Sequence, residues 1–243
     1  MSGMKHSSHS VAIVHARGGS RRIPFKNVKL LVGKPLVAWC IEAAKASGID
    51  RVIVSTDHDG IAEAALAAGA DVPFRRPADI SEDVPSELVT QHGILFHERE
   101  TGKKVDICVT IQPTTPFIRG SDMDSGLQML ESNPTFDSVI SVGPVQHPPE
   151  WMYRRAASGA LTSYRGVLIQ GDMGVSQKLE PLFCPNGGFY ATRRQTLFEK
   201  SLLIGERPGA VVMSRLRSVD IDDPIDFLLA EVVAAELAKN PDL

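Results

Sequence analysis

Two short stretches carry residue types that could handle a polyphosphate. The first is Ala16-Arg17-Gly18-Gly19-Ser20-Arg21-Arg22-Ile23-Pro24-Phe25-Lys26-Asn27, with four cations close together around two adjacent glycines. A glycine turn exposes backbone N–H groups that can cradle anionic oxygens, and cationic side chains neutralise the remaining charge. Pro24 fixes φ in mid-loop, so part of the loop is stiff before any ligand arrives. Taken alone, the stretch also fits a solvated basic turn. It is neither G-x-x-x-x-G-K-S/T nor G-x-G-x-x-G, which excludes a P-loop and the dinucleotide fingerprint. The second stretch is Val219-Asp220-Ile221-Asp222-Asp223-Pro224. Asp220 and Asp222 are two apart, so on a strand both carboxylates share one face. Paired hard oxygens suit Mg2+, which takes one or two carboxylates together with phosphate oxygens and waters. Helix capping explains Asp223, which precedes a proline suited to the first helical position, but leaves Asp220 and Asp222 unexplained. A divalent ion beside a polyphosphate clamp is the equipment of nucleotidyl transfer.

The elements that must position these stretches alternate for the first half of the chain. Residues 11–14 are a short apolar, β-branched strand that empties into the glycine loop. Residues 36–47 carry apolar side chains at Leu36, Val37, Cys40, Ile41 and Ala44 and predict an amphipathic helix closed by Gly48. A strand is expected over 51–57 and an alanine-rich helix over 59–68. Asp59 is expected to cap that helix; Asp57 stays open between capping and a place at a ligand crevice. A helix over 86–98 and a strand over 106–111 follow, the strand running into Gln112-Pro113-Thr114-Thr115-Pro116. A helix over 121–132 and a strand over 137–142 complete the run. Such alternation implies right-handed crossovers and a mainly parallel sheet with helices on both faces. From 143 to 185 the pattern fails, and a run this long predicts a lid, a β-arm or a dimer contact. A strand at 186–191, a short helix at 195–200, a short strand within 209–214 and an amphipathic helix from 224 to about 238 close the chain.

The 243 residues suit one α/β domain, and 43% hydrophobic content supplies a full core. A net charge of −3 argues against a general nucleic-acid binder. Cys40, Cys108 and Cys184 lie far apart, as expected of reduced thiols in the cytoplasm. No segment has the apolar core of a signal peptide or a membrane span. The domain reading is therefore a polar, disordered leader over 1–10 and a single domain over 11–243, with 143–185 as an insertion. His92 and His97 are five apart and share no helix face, so a metal held by that pair is not expected.

In order, A-R-G-G-S-x-x-I-P-x-K-N after the first strand, Arg76-Pro77-Ala78-Asp79-Ile80, Gln112 to Pro116, Pro185-Asn186-Gly187-Gly188-Phe189-Tyr190 and Asp220-Ile221-Asp222 form a set that resembles the sugar-acid cytidylyltransferases. Within that group the set is most similar to the CMP-sialate synthetases, or acylneuraminate cytidylyltransferases. The resemblance runs over nearly the whole chain. It implies a three-layer α/β/α, Rossmann-like fold of the nucleotide-diphospho-sugar transferase type, with an inserted arm that reaches over the partner's site in a homodimer. It implies that Arg17, Gly18, Gly19, Ser20, Arg21, Lys26, Asn27 and Arg76 hold the nucleotide, with Arg17, Arg21 and Lys26 catalytic. Gln112 would contact the sugar acid, Asn186 and Tyr190 would line its pocket, and Asp220 and Asp222 would hold Mg2+. The implied reaction is attack of an anomeric hydroxyl on the α-phosphorus of CTP, with a cytoplasmic enzyme and neither nucleic acid nor membrane as partner.

Departures from the family pattern bear on details. Arg21 replaces the more usual Lys, which turns a point donor into a fork. Glu82 stands where Ser is usual, beside the retained Asp83. Ser176 replaces an Arg, and Glu180 a Pro, in the inserted segment, which leaves the identity of the sugar open. No side chain presents itself as a general base; His15 and His147 qualify only by type. The alternatives are an eight-carbon sugar acid, another nucleoside triphosphate, or a nucleotide-sugar binding protein without turnover.

Overall fold

Apolar β-branched runs build the middle of the sheet. The computed structural model describes residues 4–167, 169–175 and 178–240. In chain order its strands are β1 (Ser10–His15), β2 (Leu30–Leu31), β3 (Lys34–Pro35), β4 (Arg51–Ser55), β5 (Ile107–Ile111), β6 (Ser138–Pro144), β7 (Tyr153–Arg155), β8 (Leu161–Ser163), β9 (Phe183–Arg193) and β10 (Pro208–Val212). The helices are α1 (Leu36–Lys45), α2 (Asp59–Ala67), α3 (Ser86–Thr101), α4 (Gly120–Ser132), α5 (Arg194–Glu199) and α6 (Pro224–Lys239). Among the described residues the main sheet has the order β10-β6-β9-β5-β1-β4. β1 pairs in parallel with β4 and β5, and β10 with β6, while β9 runs against both β5 and β6. The expected mainly parallel sheet is present with β9 as its exception. That strand arrives from the inserted segment without a crossover helix, so nothing turns it parallel.

The period-2 alternation of β1 assigns the layers. Ala12 and Val14 face α1, α2 and α4, where Val37, Ile41, Ile61, Met123 and Leu127 cover them. Val11 and Ile13 face the other way, toward Ile94 of α3 and Leu197 of α5. A third cluster joins α6 to parts of the chain that have no regular structure: Ile23 and Ile221 are both buried there beside Leu31, Leu36, Phe117, Phe227 and Val233. The basic loop and the acidic segment are thus pegged into one apolar cluster. α6 is less amphipathic than its sequence suggests, because Ile225, Leu228, Leu229 and Val232 form a second, exposed apolar stripe.

Two boundaries are corrected. The sheet continues past residue 143, since Gly143 pairs with Cys184 and Pro144 with Phe183. The insertion is therefore 145–182, and it contains the β7–β8 hairpin. The leader does not lie wholly outside the fold. The His6 ring sits between Asp124 and Glu131, 3.2 Å from each, and the backbone N–H groups of Ser7 and Ser8 donate to Glu131 at 2.7 and 2.8 Å. Desolvation would raise the Glu131 carboxyl, but the hydrogen bonds from Ser8, Ser7 and His6 outweigh it and hold the pKa at about 2. A polar tail docks here because carboxylates on α4 satisfy its donors.

The β2–β3 hairpin turns on Val32 and Gly33, at φ 49° and 79°. Two positive φ angles in a two-residue loop are the pattern of a type I′ turn, which suits Asn-Gly and strains a β-branched residue. Val32→Asn is expected to raise stability by about 1 kcal/mol, read as a higher urea midpoint at unchanged slope.

Candidate active site

Strand β1 leads through α1 to β4 on one side, and β4 leads through α3 to β5 on the other. The crevice outside the strand ends at such a reversal is where open α/β sheets bind ligands. A cleft of about 460 Å³ lies there, walled by the loop after β1, the segment after β5, residues 82–86 and Asp222.

The glycine loop is held from beneath. Ala16 N–H donates to the Ser55 carbonyl at 3.1 Å, and Gly18 N–H donates to Asp57 Oδ1 at 2.8 Å. Asp57 thus serves the loop and does not cap α2. Asp59 does not cap α2; it pairs with Arg75, and His58 occupies the cap position. A Cβ on Gly18 would lie 2.9 Å from the His58 Cβ, whereas Gly19 faces open space. Asn27 is buried and donates to the Arg17 carbonyl at 2.9 Å, so it braces the loop from behind while lining the cleft. Ser20 also lines the cleft.

The loop's cations fall into two groups. Arg17 and Arg21 share one carboxylate, with Nη2 atoms 2.5 and 3.0 Å from the two oxygens of Asp83. Arg22 pairs with Asp222 at 3.1 Å, and Lys26 Nζ donates to the Ile221 carbonyl at 2.6 Å and lies 3.6 Å from Asp222. Burial pulls the Lys26 ammonium below its usual pKa, against the pull of Asp222 and Asp220. Arg76 differs from all of these. It is 6% exposed, donates from Nε and Nη2 to the Ser55 hydroxyl and carbonyl, and has no ion-pair partner among the described residues. Burial first, then the neighbouring Arg17, lower its pKa to about 10 despite Asp57, so it is still charged at neutral pH. A buried cation without a counter-ion is costly unless an anion joins it, and this one lines the cleft.

The acidic stretch is extended but is not a strand. Alternation still operates: Ile221 enters the core, leaving carboxylates on either side. Ile221 N–H donates to the Thr114 carbonyl at 2.8 Å, tying this stretch to the end of β5. Asp220 hydrogen-bonds the Thr114 side chain; burial, with help from Asp222 and Asp226, nevertheless raises its pKa. Asp223 caps α6, accepting from Ile225 and Asp226 N–H at 2.7 and 3.0 Å. Gln112 lines the cleft. Gly187 sits at φ 77°, and a Cβ there would lie 3.5 Å from Gln112 Oε1 and 3.8 Å from Asp220 Oδ2, so Gln112 and Asp220 converge on this turn.

Asn186 and Tyr190, like Asp220, are not among the residues that wall this cleft. The Asn186 amide is used within the protein: Oδ1 accepts from Ser141 Oγ at 2.6 Å and Nδ2 donates to Ser218 Oγ at 3.0 Å. Tyr190 lies on β9 opposite Thr110 and Ile140, and burial, then Asp220, raises its hydroxyl pKa. His147 and Glu180 are exposed and away from the cleft wall, and Ser176 lies outside the described residues. His15 reaches the cleft floor, where Nε2 is 2.9 Å from Thr90 Oγ1. Burial, then Arg76, lowers its pKa to about 3. So weak a base does not suit proton abstraction near neutral pH.

Acidification should reveal these histidines. Burial lowers the pKa of His15, His92 and His97. The unfolded chain therefore takes up protons first, and stability present above pH 6.5 is lost as pH falls, down to about 3 for His15. His15 alone should remove on the order of 2 kcal/mol between pH 7.5 and 5. Urea midpoints at those two pH values measure it, and His15→Asn should shrink the difference.

Comparison with known proteins accords with this geometry. Residues 11–164 match the family model described as Cytidylyltransferase. The chain is 34% identical over 223 residues to a CMP-N,N'-diacetyllegionaminic acid synthase of Legionella pneumophila, covering 91% of this chain and 94% of that protein. It is 36% identical over 228 residues to N-acylneuraminate cytidylyltransferase A of Danio rerio, covering 93% of this chain but only 51% of the fish protein. A CMP:2-keto-3-deoxy-manno-octonic acid synthetase solved with CTP shares the fold at a TM-score of 0.65 and 20% identity, over 96% of this chain and all of that one. The chain belongs to the cytidylyltransferase family, on the branch of the CMP-sialate synthetases.

Proposed function

We propose that this chain transfers the cytidylyl group of CTP to the anomeric hydroxyl of a nonulosonate, a nine-carbon 2-keto-3-deoxy sugar acid, and releases pyrophosphate. The observation that carries this reading is the meeting, around one cleft, of a cationic glycine loop, the buried Arg76, which has no ion-pair partner among the described residues, and Asp222, with Asp220 interacting with it. The Legionella relative, similar over almost its full length, supports the nine-carbon sugar.

In this mechanism Arg17, Arg21 and Arg76 bind the triphosphate, and Gly19 leaves room for it. Lys26, held by the Ile221 carbonyl, stabilises charge that grows on the phosphates. The C2 hydroxyl of the sugar acid attacks the α-phosphorus and gives up its proton to solvent, the bond to the bridging oxygen breaks, and pyrophosphate departs with its electron pair. Gln112, just after β5, orients the sugar acid. Mg2+ fits Asp220 and Asp222: both carboxylates interact with Lys26, and burial, then the like charge of Asp222, raises the Asp220 carboxyl pKa, as expected of a site that gains from an added cation. No group of three or more ligating side chains gathers among the described residues, so phosphate oxygens and waters would complete the shell. When bound, Mg2+ supplies neutralisation of phosphate charge.

A homodimer accords with the 145–182 segment, where Met152, Tyr153, Leu161 and Tyr164 are exposed apolar or aromatic side chains on a projecting hairpin. Three free cysteines accord with a cytoplasmic protein, and no helix among the described residues is long and apolar enough to cross a membrane. Pyrophosphate release with Mg2+, crossing CTP, UTP, GTP and ATP with eight- and nine-carbon sugar acids, tests the reading. Release only with CTP and a nonulosonate is expected. Release with an eight-carbon acid alone, or none from a folded protein, contradicts it.

A further inference from the structure

Asp83 makes a contact that the proposed reaction does not use. Its two carboxylate oxygens lie 2.5 and 3.0 Å from Arg17 and Arg21, the same guanidinium groups that the glycine loop offers to an anion. Asp83 comes from the opposite wall, in the irregular segment between the 77–80 turn and α3. The segment's ends are fastened: Ser81 Oγ donates to the Pro77 carbonyl at 2.8 Å, and α3 begins at Ser86. Its middle is held across the cleft by Asp83 alone among the described side-chain contacts, and Glu82 and Val84 on either side line the cleft.

The chemistry of this tie differs from that of a structural ion pair. Arg194 and Glu98 show the structural kind, two parallel hydrogen bonds at 2.7 and 2.8 Å between half-buried groups. The Asp83 side chain is 55% exposed, and Arg21 is 74% exposed. Exposed ion pairs contribute little and exchange readily. A polyphosphate offers the same planar forks more charge and more acceptor oxygens than one carboxylate can.

We propose that Asp83 is a positioning residue that stands in for phosphate: it holds Arg17 and Arg21 together, and an incoming nucleotide polyphosphate displaces it, releasing residues 81–85 and with them the Glu82–Val84 wall. This inference rests on the assignment of Arg17 and Arg21 to the phosphates made above. It has a consequence opposite in sign to that of a structural role. If Asp83 competes with phosphate, its removal tightens anion binding; if it only orients the arginines, its removal weakens it.

Calorimetric titration with inorganic tripolyphosphate, without sugar acid, reads that sign. Asp83→Asn and Asp83→Ser are expected to bind about fivefold more tightly than the wild type, with a parallel fall in KM for CTP, and Asp83→Glu is expected to restore the wild-type value. Asp79→Asn is the control, because it removes the same charge four residues away, and Asp79 is exposed, is not in the cleft wall and makes no ion pair among the described residues. It should change affinity by less than about twofold, since an exposed charge outside the contact is screened. Weaker or equal binding by both Asp83 variants overturns the proposal, as does equal tightening by Asp79→Asn. If the wild type binds no tripolyphosphate, the phosphate assignment itself fails and the proposal falls with it; wild-type binding without a sign change removes the proposal alone.

Discussion

Asp220→Asn and Asp222→Asn are each expected to lower kcat by about 10³-fold while the protein stays folded. Loss of one group that stabilises charge at a transferring phosphate is typically worth this order of magnitude. The fold should survive because Ile221, not its neighbours, anchors the segment in the core, and the Ile221 N–H bond to Thr114 is backbone to backbone. Asp220→Asn also removes a partly desolvated carboxylate that Asp222 and Asp226 repel, so its melting temperature should hold or rise. Asp222→Asn frees Arg22 and Lys26 from their ion pairs, which are exposed on at least one side and contribute little to stability. The activity assay should be run across Mg2+ concentrations. Full Mg2+-dependent turnover by both variants would remove the metal assignment.

The second large effect belongs to Arg76. Arg76→Met is expected to lower kcat/KM for CTP by about 10²–10³-fold, because a desolvated cation is worth far more to a phosphate than an exposed one. Stability should not fall with it. The wild type carries a buried guanidinium whose lowered pKa of about 10 records its desolvation, and a methionine of similar length relieves that burden. The Ser55 carbonyl keeps a donor in Ala16 N–H. The pattern to look for is therefore activity lost with the melting temperature retained. An enzyme that loses both would show Arg76 to be a structural residue; one that loses neither would show it to be idle.

Much of this site was legible in the sequence, for identifiable reasons. Glycine with clustered cations after an apolar strand, and carboxylates two apart before a capped helix, are local patterns that survive folding. The three-layer sheet followed from alternation, and Asp223 from the proline after it. What local pattern could not supply was contact between distant segments. Asp57 holds Gly18 across the sheet end, and Thr114 braces Asp220 from over a hundred positions away. The sequence signal for both was polar residues closing an apolar strand, which marks a crevice but not a partner. The partners of Asn186 were hidden for the same reason: its amide bonds Ser141 and Ser218, and nothing near it in sequence indicates that. The direction of β9 was hidden by the inserted segment, since strand direction follows from the connection rather than from the strand. The docked N-terminal residues were missed because a polar tail looks solvated until carboxylates on α4 are seen to receive it.

The central claim concerns the α-phosphorus, and labelling that atom tests it most directly. The protein would be incubated with Mg2+, a nonulosonate and CTP carrying radiolabel at the α-phosphorus, then treated with phosphatase and chromatographed. The label is expected to leave CTP, resist phosphatase as a phosphodiester, and co-migrate with the sugar acid in equal amount to the pyrophosphate released. Label that stays in CTP or its hydrolysis products, or a sugar acid labelled only when the γ-phosphorus is marked, would contradict cytidylyl transfer in this cleft.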